Sequence, residues 1–390
     1  MLIDFRDEQL LRRALELARA GLGLALPNPY VGAVITDVDG NVAGEGTYTY
    51  DGVKHAEILA LDAAGERARG GTLYINLEPH AHQGRTPPCT DALIARGICR
   101  VVASMPDPNP KVSGRGFEQL RAAGVRVEVG GLQDEAKRLN EAFARYIRSG
   151  IPFVTLKSAM TLDGKIAPAP APQIAPKGNP HRNGFRGPWI TGQAARAHVQ
   201  ELRHQQDAIL VGVGTVLTDD PLLNDRSEKP RRRPLLRVVL DSHLRLPLDS
   251  RLVQSAAHEE KNDLLVFCAA SGEMQSREKR AQLEQLGVCV QPVSCGADGR
   301  LDLHAILRCL ARMEITSLII EGGSAVNGAV LAAGMVDKLF LYYAPKILGE
   351  HAIPFARGTA SSPVSLGNIQ IHRFGEDFAI EGYIRDPYAA

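Results

Sequence analysis

His55-Ala56-Glu57 opens an apolar-periodic stretch, HAEILALDAAGERA, and a strand-like run, TLYINLE, leads on into Pro79-His80-Ala81-His82-Gln83-Gly84-Arg85-Thr86-Pro87-Pro88-Cys89. His55, His80 and Cys89 are three candidate ligands for one metal ion, and Glu57 is a carboxylate left over to carry protons. At about 100° per residue His55 and Glu57 do not share a helix face, but helical side chains lean toward the N-terminus, so both reach a site at the helix mouth. Three protein ligands with a fourth position open to water is the pattern of a catalytic zinc site.

A second constellation lies in SLIIEGGSAVNGAVL, where a buried-strand pattern ends in Glu321-Gly322-Gly323-Ser324 and continues as a helix. That arrangement sets phosphate oxygens on backbone N–H groups at a helix N-terminus and points to a nucleotide cofactor. It lacks the G-x-G-x-x-G spacing after a first strand, so it does not indicate a Rossmann domain. Lys157 and Asp163 stand near the end of another strand-like run, FVTLKSAM, where polar groups beside apolar neighbours face a ligand cleft. Lys157 is expected there as a phosphate or sugar contact.

The elements that must position these residues follow two alternations. From residue 31 to 130, VGAVITD, HAEILALDAAGERA, TLYINL, TDALIARG, CRVVASM, GFEQLRAAG and VRVEVG alternate strand and helix signals, which predicts an α/β sandwich with parallel strands. Residues 133–148 predict one helix carrying Ala136, Leu139, Phe143 and Ile147, stopped by Gly150 and Pro152. The domain boundary is placed there, giving 1–149 and 150–390. A second α/β alternation runs from FVTLKSAM to KLFLYYA. Within it, six prolines in residues 166–188 predict an extended, polyproline-like loop, either a surface insertion or a lid.

With 45 basic and 44 acidic side chains the net charge is +1, so nucleic acid and anionic lipid are not expected as partners and a small-molecule substrate fits better. The composition, 44% hydrophobic and 23% charged, is that of a folded protein, and no run approaches the ~18 apolar residues of a membrane span. MLIDFRDEQLLRRALELARAG reads as an amphipathic helix opened by Asp7 rather than as a signal peptide. Six scattered cysteines without a CxxC pair suggest reduced thiols, and the chain is expected to be cytoplasmic. Any metal site must then recruit histidine.

The loop EPHAHQGRTPPCTDALI resembles EPCSHHGRTPPCTDALI in the deaminase half of the bifunctional riboflavin-biosynthesis deaminase/reductases, and the likeness takes in Pro27-Asn28-Pro29 and VGAVI. A histidine, one residue and a glutamate, followed by a Pro-Cys loop, is the zinc-deaminase signature, in which the glutamate moves protons without binding the metal. KSAMTLDGKI, Trp189-Ile190-Thr191-Gly192, LVGVGTVLTDDP, VLDS and EGGSAVNGAVL resemble the reductase half, in the same order. The resemblance implies an α/β chain, a cytidine-deaminase-like three-layer domain followed by a dihydrofolate-reductase-like domain. It implies Zn2+ on His55, His80 and Cys89, Glu57 as catalytic residue, and Asn28, His82 and Arg85 toward the substrate. It further implies an NADPH site at Met160, Trp189, Thr215, Asp219, Ser242, Gly323, Ser324, Ala325, Val326, Asn327, Gly328 and Ala329. Gly187, Arg203, Leu223, Arg226 and Glu321 would hold the ribose phosphate substrate.

Two departures matter. His80 stands where the family has its first cysteine ligand, and imidazole is neutral and reaches farther than a thiolate, so a bound metal would carry one more net positive charge. Gly187 stands where the family has serine, and the Pro-rich segment is longer than usual.

The implied activity is hydrolytic deamination of 2,5-diamino-6-ribosylamino-4(3H)-pyrimidinone 5′-phosphate, followed by NADPH reduction of the ribosyl group to give 5-amino-6-(5-phosphoribitylamino)uracil. Two other readings stand beside it. One is a reductase carrying a degenerate, metal-free deaminase domain in which His80 and His82 are solvated. The other is a nucleic-acid-base deaminase, against which the near-zero net charge argues. Relatives of this kind suggest a homo-oligomer formed mainly through the reductase domains.

Overall fold

The apolar runs of the first alternation become a five-stranded sheet, and those of the second a nine-stranded one. The computed structural model describes residues 3–83, 87–169, 189–259, 262–270, 274–296, 299–358 and 363–389. Two units separate: one ends at Ile151 and takes in Lys229–Arg233, and the other holds Pro152–Glu228 and Pro234–Ala389.

The first unit runs α1 (Phe5–Ala20), β1 (Gly32–Thr36), β2 (Val42–Thr47), α2 (Ala56–Ala64), β3 (Thr72–Ile75), α3 (Cys89–Ala95), β4 (Arg100–Ala103), α4 (Arg115–Ala122), β5 (Arg126–Val129), α5 (Gln133–Leu139) and α6 (Glu141–Ser149). The strand order is β2-β1-β3-β4-β5. β1 is antiparallel to β2 and β3, and β3, β4 and β5 are parallel. Glycines decide how closely helices press on this sheet. A Cβ on Gly32 would stand 2.1 Å from the Ala14 carbonyl oxygen of α1, and one on Gly46 2.1 Å from that of Ala56 in α2. Because Gly46 pairs with Ala33 and neighbouring strand residues face opposite ways, the two helices lie on opposite faces, which makes three layers.

Two local expectations need correction. Asp4, not Asp7, is the N-cap of α1, and Asp7 is the third helical residue that completes a capping box with it. The helix expected over 133–148 is broken into α5 and α6 at Asn140, whose side chain leaves helix duty to accept the Tyr30 N–H at 2.8 Å.

The second unit runs β6 (Phe153–Thr161), β7 (Lys165–Ala167), α7 (Gln193–His204), β8 (Ala208–Gly212), α8 (Val213–Asp219), β9 (Leu236–Leu240), α9 (Arg251–Glu259), β10 (Leu264–Ala269), α10 (Met274–Gln285), β11 (Cys289–Val293), α11 (Leu303–Arg312), β12 (Ser317–Ile320), α12 (Ser324–Ala332), β13 (Lys338–Ala344), β14 (Ile353–Pro354), β15 (Gly367–Phe374) and β16 (Asp377–Tyr383). Its order is β11-β10-β9-β8-β12-β6-β13-β16-β15. The strands from β11 to β13 are parallel, and β16 and β15 continue antiparallel. The start of the Pro-rich segment, Lys165–Ala167, pairs with Ile353–Pro354 rather than forming polyproline, and residues 170–188 of the segment lie outside the described residues.

Candidate active sites

In the first unit the close seat of α2 on β2 presents the helix mouth to the loop after β3. His55 is the N-cap of α2, in extended backbone, and Glu57 lies in the first turn. Cys89 is the first residue of α3, and its N–H and that of Thr90 donate to the His80 carbonyl at 3.1 and 3.4 Å, folding the ligand loop onto itself. The ligand atoms of His55, Glu57, His80 and Cys89 all lie within 4.8 Å of one another. Cys89 Sγ is 3.3 Å from His55 Nδ1, and the His55 and His80 ring centroids are 4.4 Å apart. Two imidazoles and a thiol on one point, with a carboxylate beside them, fit a catalytic zinc ion.

Glu57 is 3% exposed. Burial pushes its carboxyl up, against the pull of His55, of its own backbone N–H and of the Cys89 thiol. A carboxyl raised in this way holds a proton nearer neutral pH, as a proton carrier must. Burial, with Glu57 adding to it, also raises the Cys89 thiol in the absence of a metal.

Around this point stand the other expected residues. Tyr48 meets His55 edge-on at 5.4 Å, and Asn28 Nδ2 donates to Tyr48 Oη at 2.6 Å. The Asn28 loop is clamped at Tyr30, whose N–H donates to Asn140 Oδ1 and whose carbonyl accepts from Asn76 Nδ2 and Asn140 Nδ2. His82 is exposed and 5.4 Å from the His80 ring, and Arg85 lies outside the described residues. One residue escaped the sequence reading. Asp107 follows β4, and its carboxyl is pushed up to about 6 by burial and by Glu78, against a backbone hydrogen bond from Asn109 and the His82 imidazole. The turn signal DPNP at a strand's end could have flagged it.

In the second unit a cleft of about 2310 Å³ opens along the sheet. That is more than a single drug-sized ligand needs and suits a dinucleotide beside a sugar phosphate. Of the expected residues it is lined by Lys157, Trp189, Arg203, Thr215, Asp219, Leu223, Arg226, Ser242, Glu321, Gly323, Ser324, Ala325, Val326 and Ala329. Arg245, Arg251 and Arg300 also line it, and nothing in the sequence reading singled them out.

Lys157 Nζ is 3.2 Å from Glu321 Oε2, and Arg203 reaches Oε1 at 2.7 Å through Nε and Oε2 at 3.1 Å through Nη2. Burial alone would raise the Glu321 carboxyl, but Lys157 and Arg203 bring it down to about 2. Two cations sharing one carboxylate leave one net positive charge for an anionic ligand. Burial also pushes the Asp219 carboxyl up. Trp189 is 70% exposed beneath the Arg196 guanidinium, 5.1 Å from its ring centroid, so it is not a core residue.

The α12 N-terminus fits a phosphate. A Cβ on Gly323 would meet only Thr215 Oγ1, at 4.0 Å, and the buried Ser324 Oγ has no hydrogen-bond partner among the described residues. Three residues expected at the cofactor are not among those that line the cleft. Met160 is buried, at 2% exposed. Asn327 and Gly328 turn to the opposite side of α12: Asn327 Nδ2 donates to Phe355 O at 2.8 Å, and a Cβ on Gly328 would stand 1.7 Å from Arg357 O. Asp163 pins a turn by accepting the N–H groups of Leu348 and Gly349. Gly187 lies outside the described residues.

Comparison with known proteins gives each unit a family. Residues 5–105 match the cytidine and deoxycytidylate deaminase zinc-binding region, and residues 152–380 match the RibD C-terminal domain. The riboflavin biosynthesis protein RibD of Actinobacillus pleuropneumoniae is 44% identical over 88% of this chain and 85% of its own length, and that of Aquifex aeolicus 38% identical over 96% and 97%. A crystal structure from Thermotoga maritima, described as a diaminohydroxyphosphoribosylaminopyrimidine deaminase/5-amino-6-(5-phosphoribosylamino)uracil reductase, superposes with a TM-score of 0.79 at 36% identity, covering 97% of this chain and 98% of that one. The chain belongs to the RibD family of riboflavin biosynthesis proteins.

Proposed function

We infer that the chain catalyses two consecutive steps, deamination of the diaminopyrimidinone ribose phosphate in the first unit and NADPH reduction of the ribosyl group in the second. The observation that carries this reading is the approach of the buried Glu57 carboxylate to three ligand atoms within 4.8 Å. Against a degenerate first domain stands the 4.4 Å approach of the His55 and His80 rings.

His55, His80 and Cys89 would hold the zinc, which would supply activation of water for attack at neutral pH. Glu57 takes a proton at its carboxylate and returns it to the departing amino group. Asn28, hydrogen-bonded to Tyr48, and the exposed His82 with Arg85 bind the pyrimidine and its phosphate. In the second unit NADPH supplies the hydride. The α12 N-terminus at Gly323, Ser324, Ala325, Val326 and Ala329, with Trp189, Thr215, Asp219 and Ser242, holds the cofactor. Lys157, Arg203, Leu223 and Arg226 hold the sugar phosphate, with Glu321 fixing the two cations in place. The domain's task is to align cofactor and sugar and to exclude water.

The same reading makes the chain a cytoplasmic enzyme with a small-molecule substrate and without a nucleic-acid partner, in keeping with a net charge of +1 and with no described helix long and apolar enough to cross a membrane. The edge strand β15, with Ile369 and Ile371 exposed, supports a homo-oligomer. Sedimentation of the purified chain tests that part. Turnover of the diaminopyrimidinone phosphate with and without NADPH, followed by ammonia and product mass, tests the activity. Ammonia should appear without NADPH and the ribityl product only with it. No ammonia from zinc-loaded protein would remove the first step.

A further inference from the structure

Glu78 lies just before the ligand loop, and nothing in the deamination chemistry uses it. It is 5% exposed, yet both carboxylate oxygens are engaged. Oε2 accepts the backbone N–H groups of Asp107 and Gly114, each at 2.9 Å, and Oε1 accepts those of Gly116 at 2.8 Å and Phe117 at 3.3 Å. Gly116 and Phe117 are the second and third residues of α4, an eight-residue helix whose first N–H groups have no partner within the helix. The Glu78 N–H in turn donates to Met105 O at 3.0 Å. A Cβ on Gly116 would stand 2.0 Å from Pro79 O, so α4 presses directly on the peptide between Glu78 and His80.

Four N–H donors converge on one buried side chain, two on each of its oxygens, so both oxygens must act as acceptors. The resulting joint has the metal-ligand loop on one side and the 105–117 loop, with Asp107 tied at its own N–H, on the other.

We propose that Glu78 is a positioning residue for deamination, locking the loop that carries Asp107 to the loop that carries His80 and His82 and so setting the shape of the pyrimidine pocket between them. The proposal rests on the deaminase reading of the first unit.

Glu78→Gln keeps the size but turns an NH2 group toward two of the N–H donors. In the full chain loaded with zinc, KM for the diaminopyrimidinone phosphate should rise about tenfold, the scale of one buried donor left unpaired, while kcat changes less than about threefold. Zinc should stay at one equivalent, and the visible spectrum of the Co2+-loaded variant should match that of the unaltered chain. Gly116→Ala disturbs the same joint from the other side and should give the same split; it decides the matter where Glu78→Gln does not fold. An unchanged KM in a folded variant overturns the proposal. So does a fall in kcat with loss of zinc or an altered cobalt spectrum, because Glu78 would then serve the ligand loop alone. A zinc-loaded unaltered chain that releases no ammonia overturns the deaminase reading itself and leaves a different signature, since KM then has no meaning for any variant.

Discussion

Glu57 and Glu321 are both buried carboxylates, and their surroundings drive them in opposite directions. Glu57 is raised by burial among groups that only partly compensate, so it exchanges protons. Glu321 is lowered to about 2 by two cations, so it stays ionised and orients them. Glu57→Gln should therefore lower ammonia release by roughly 10²–10⁴-fold, the usual worth of a general acid–base, with zinc content unchanged by metal analysis. Glu321→Gln should lower kcat/KM of the reduction by at least about tenfold, since Lys157 and Arg203 lose their common anchor. The sign of its pH effect follows from the depressed value. The carboxyl lies below its ordinary 4.5 in the folded chain, so its contribution to stability is complete above about 4.5 and is lost as pH falls from there toward 2. Melting temperatures across that range should fall more steeply for the unaltered chain than for Glu321→Gln, and parallel curves would contradict the assignment. Glu57 and Glu321 became readable through the family resemblance, which gave the His-x-Glu spacing and the Glu-Gly-Gly turn their meaning. Glu78 was not readable, because the N–H groups its carboxylate accepts lie 29 to 39 residues away in the chain and carry no motif.

At the level of elements, apolar periodicity located the strands and helices that are buried on a face and failed where burial does not set the pattern. β15 alternates exposed and half-buried residues at a sheet edge, and with β16 it fell beyond the last strand the alternation indicated. The single helix expected over 133–148 buries Ala136 and Ala144 but leaves Ile147 exposed, and it breaks at Asn140, whose amide pairs with Tyr30, 110 residues away. That break has work to do: Asn76 and Asn140 together satisfy both backbone groups of Tyr30, which fixes the loop carrying Asn28. Asn140→Ala should leave those buried groups short of a partner, costing about 1–3 kcal/mol by denaturant unfolding. It should also raise KM for deamination without touching the reduction. A stability loss with an unchanged KM would mean that the clamp holds the core but not the Asn28 loop. The glycines of β1 and β2 show the same logic in packing, because the contact distance of α2, and so the place of His55, depends on positions that carry no side chain at all.

Across the whole chain, each unit carries its own buried apolar core and, among the described residues, its own candidate site. The four groups of the first site all precede residue 90, and every residue lining the reductase cleft belongs to the second unit. Chemistry divided in this way can be separated and recombined. A preparation of Glu57→Gln retains the reductase residues, and one of Glu321→Gln retains the deaminase residues, so neither alone should carry the diaminopyrimidinone phosphate to the ribityl product efficiently. Mixed in equal amounts with NADPH, the two should restore that conversion, after a lag during which the deaminated intermediate accumulates in solution to near its KM for reduction. Chromatography of timed samples reads both species. If each variant performs its remaining half-reaction on added substrate and yet the mixture forms no ribityl product, the two sites depend on one another within a chain, and the division drawn here between them is wrong.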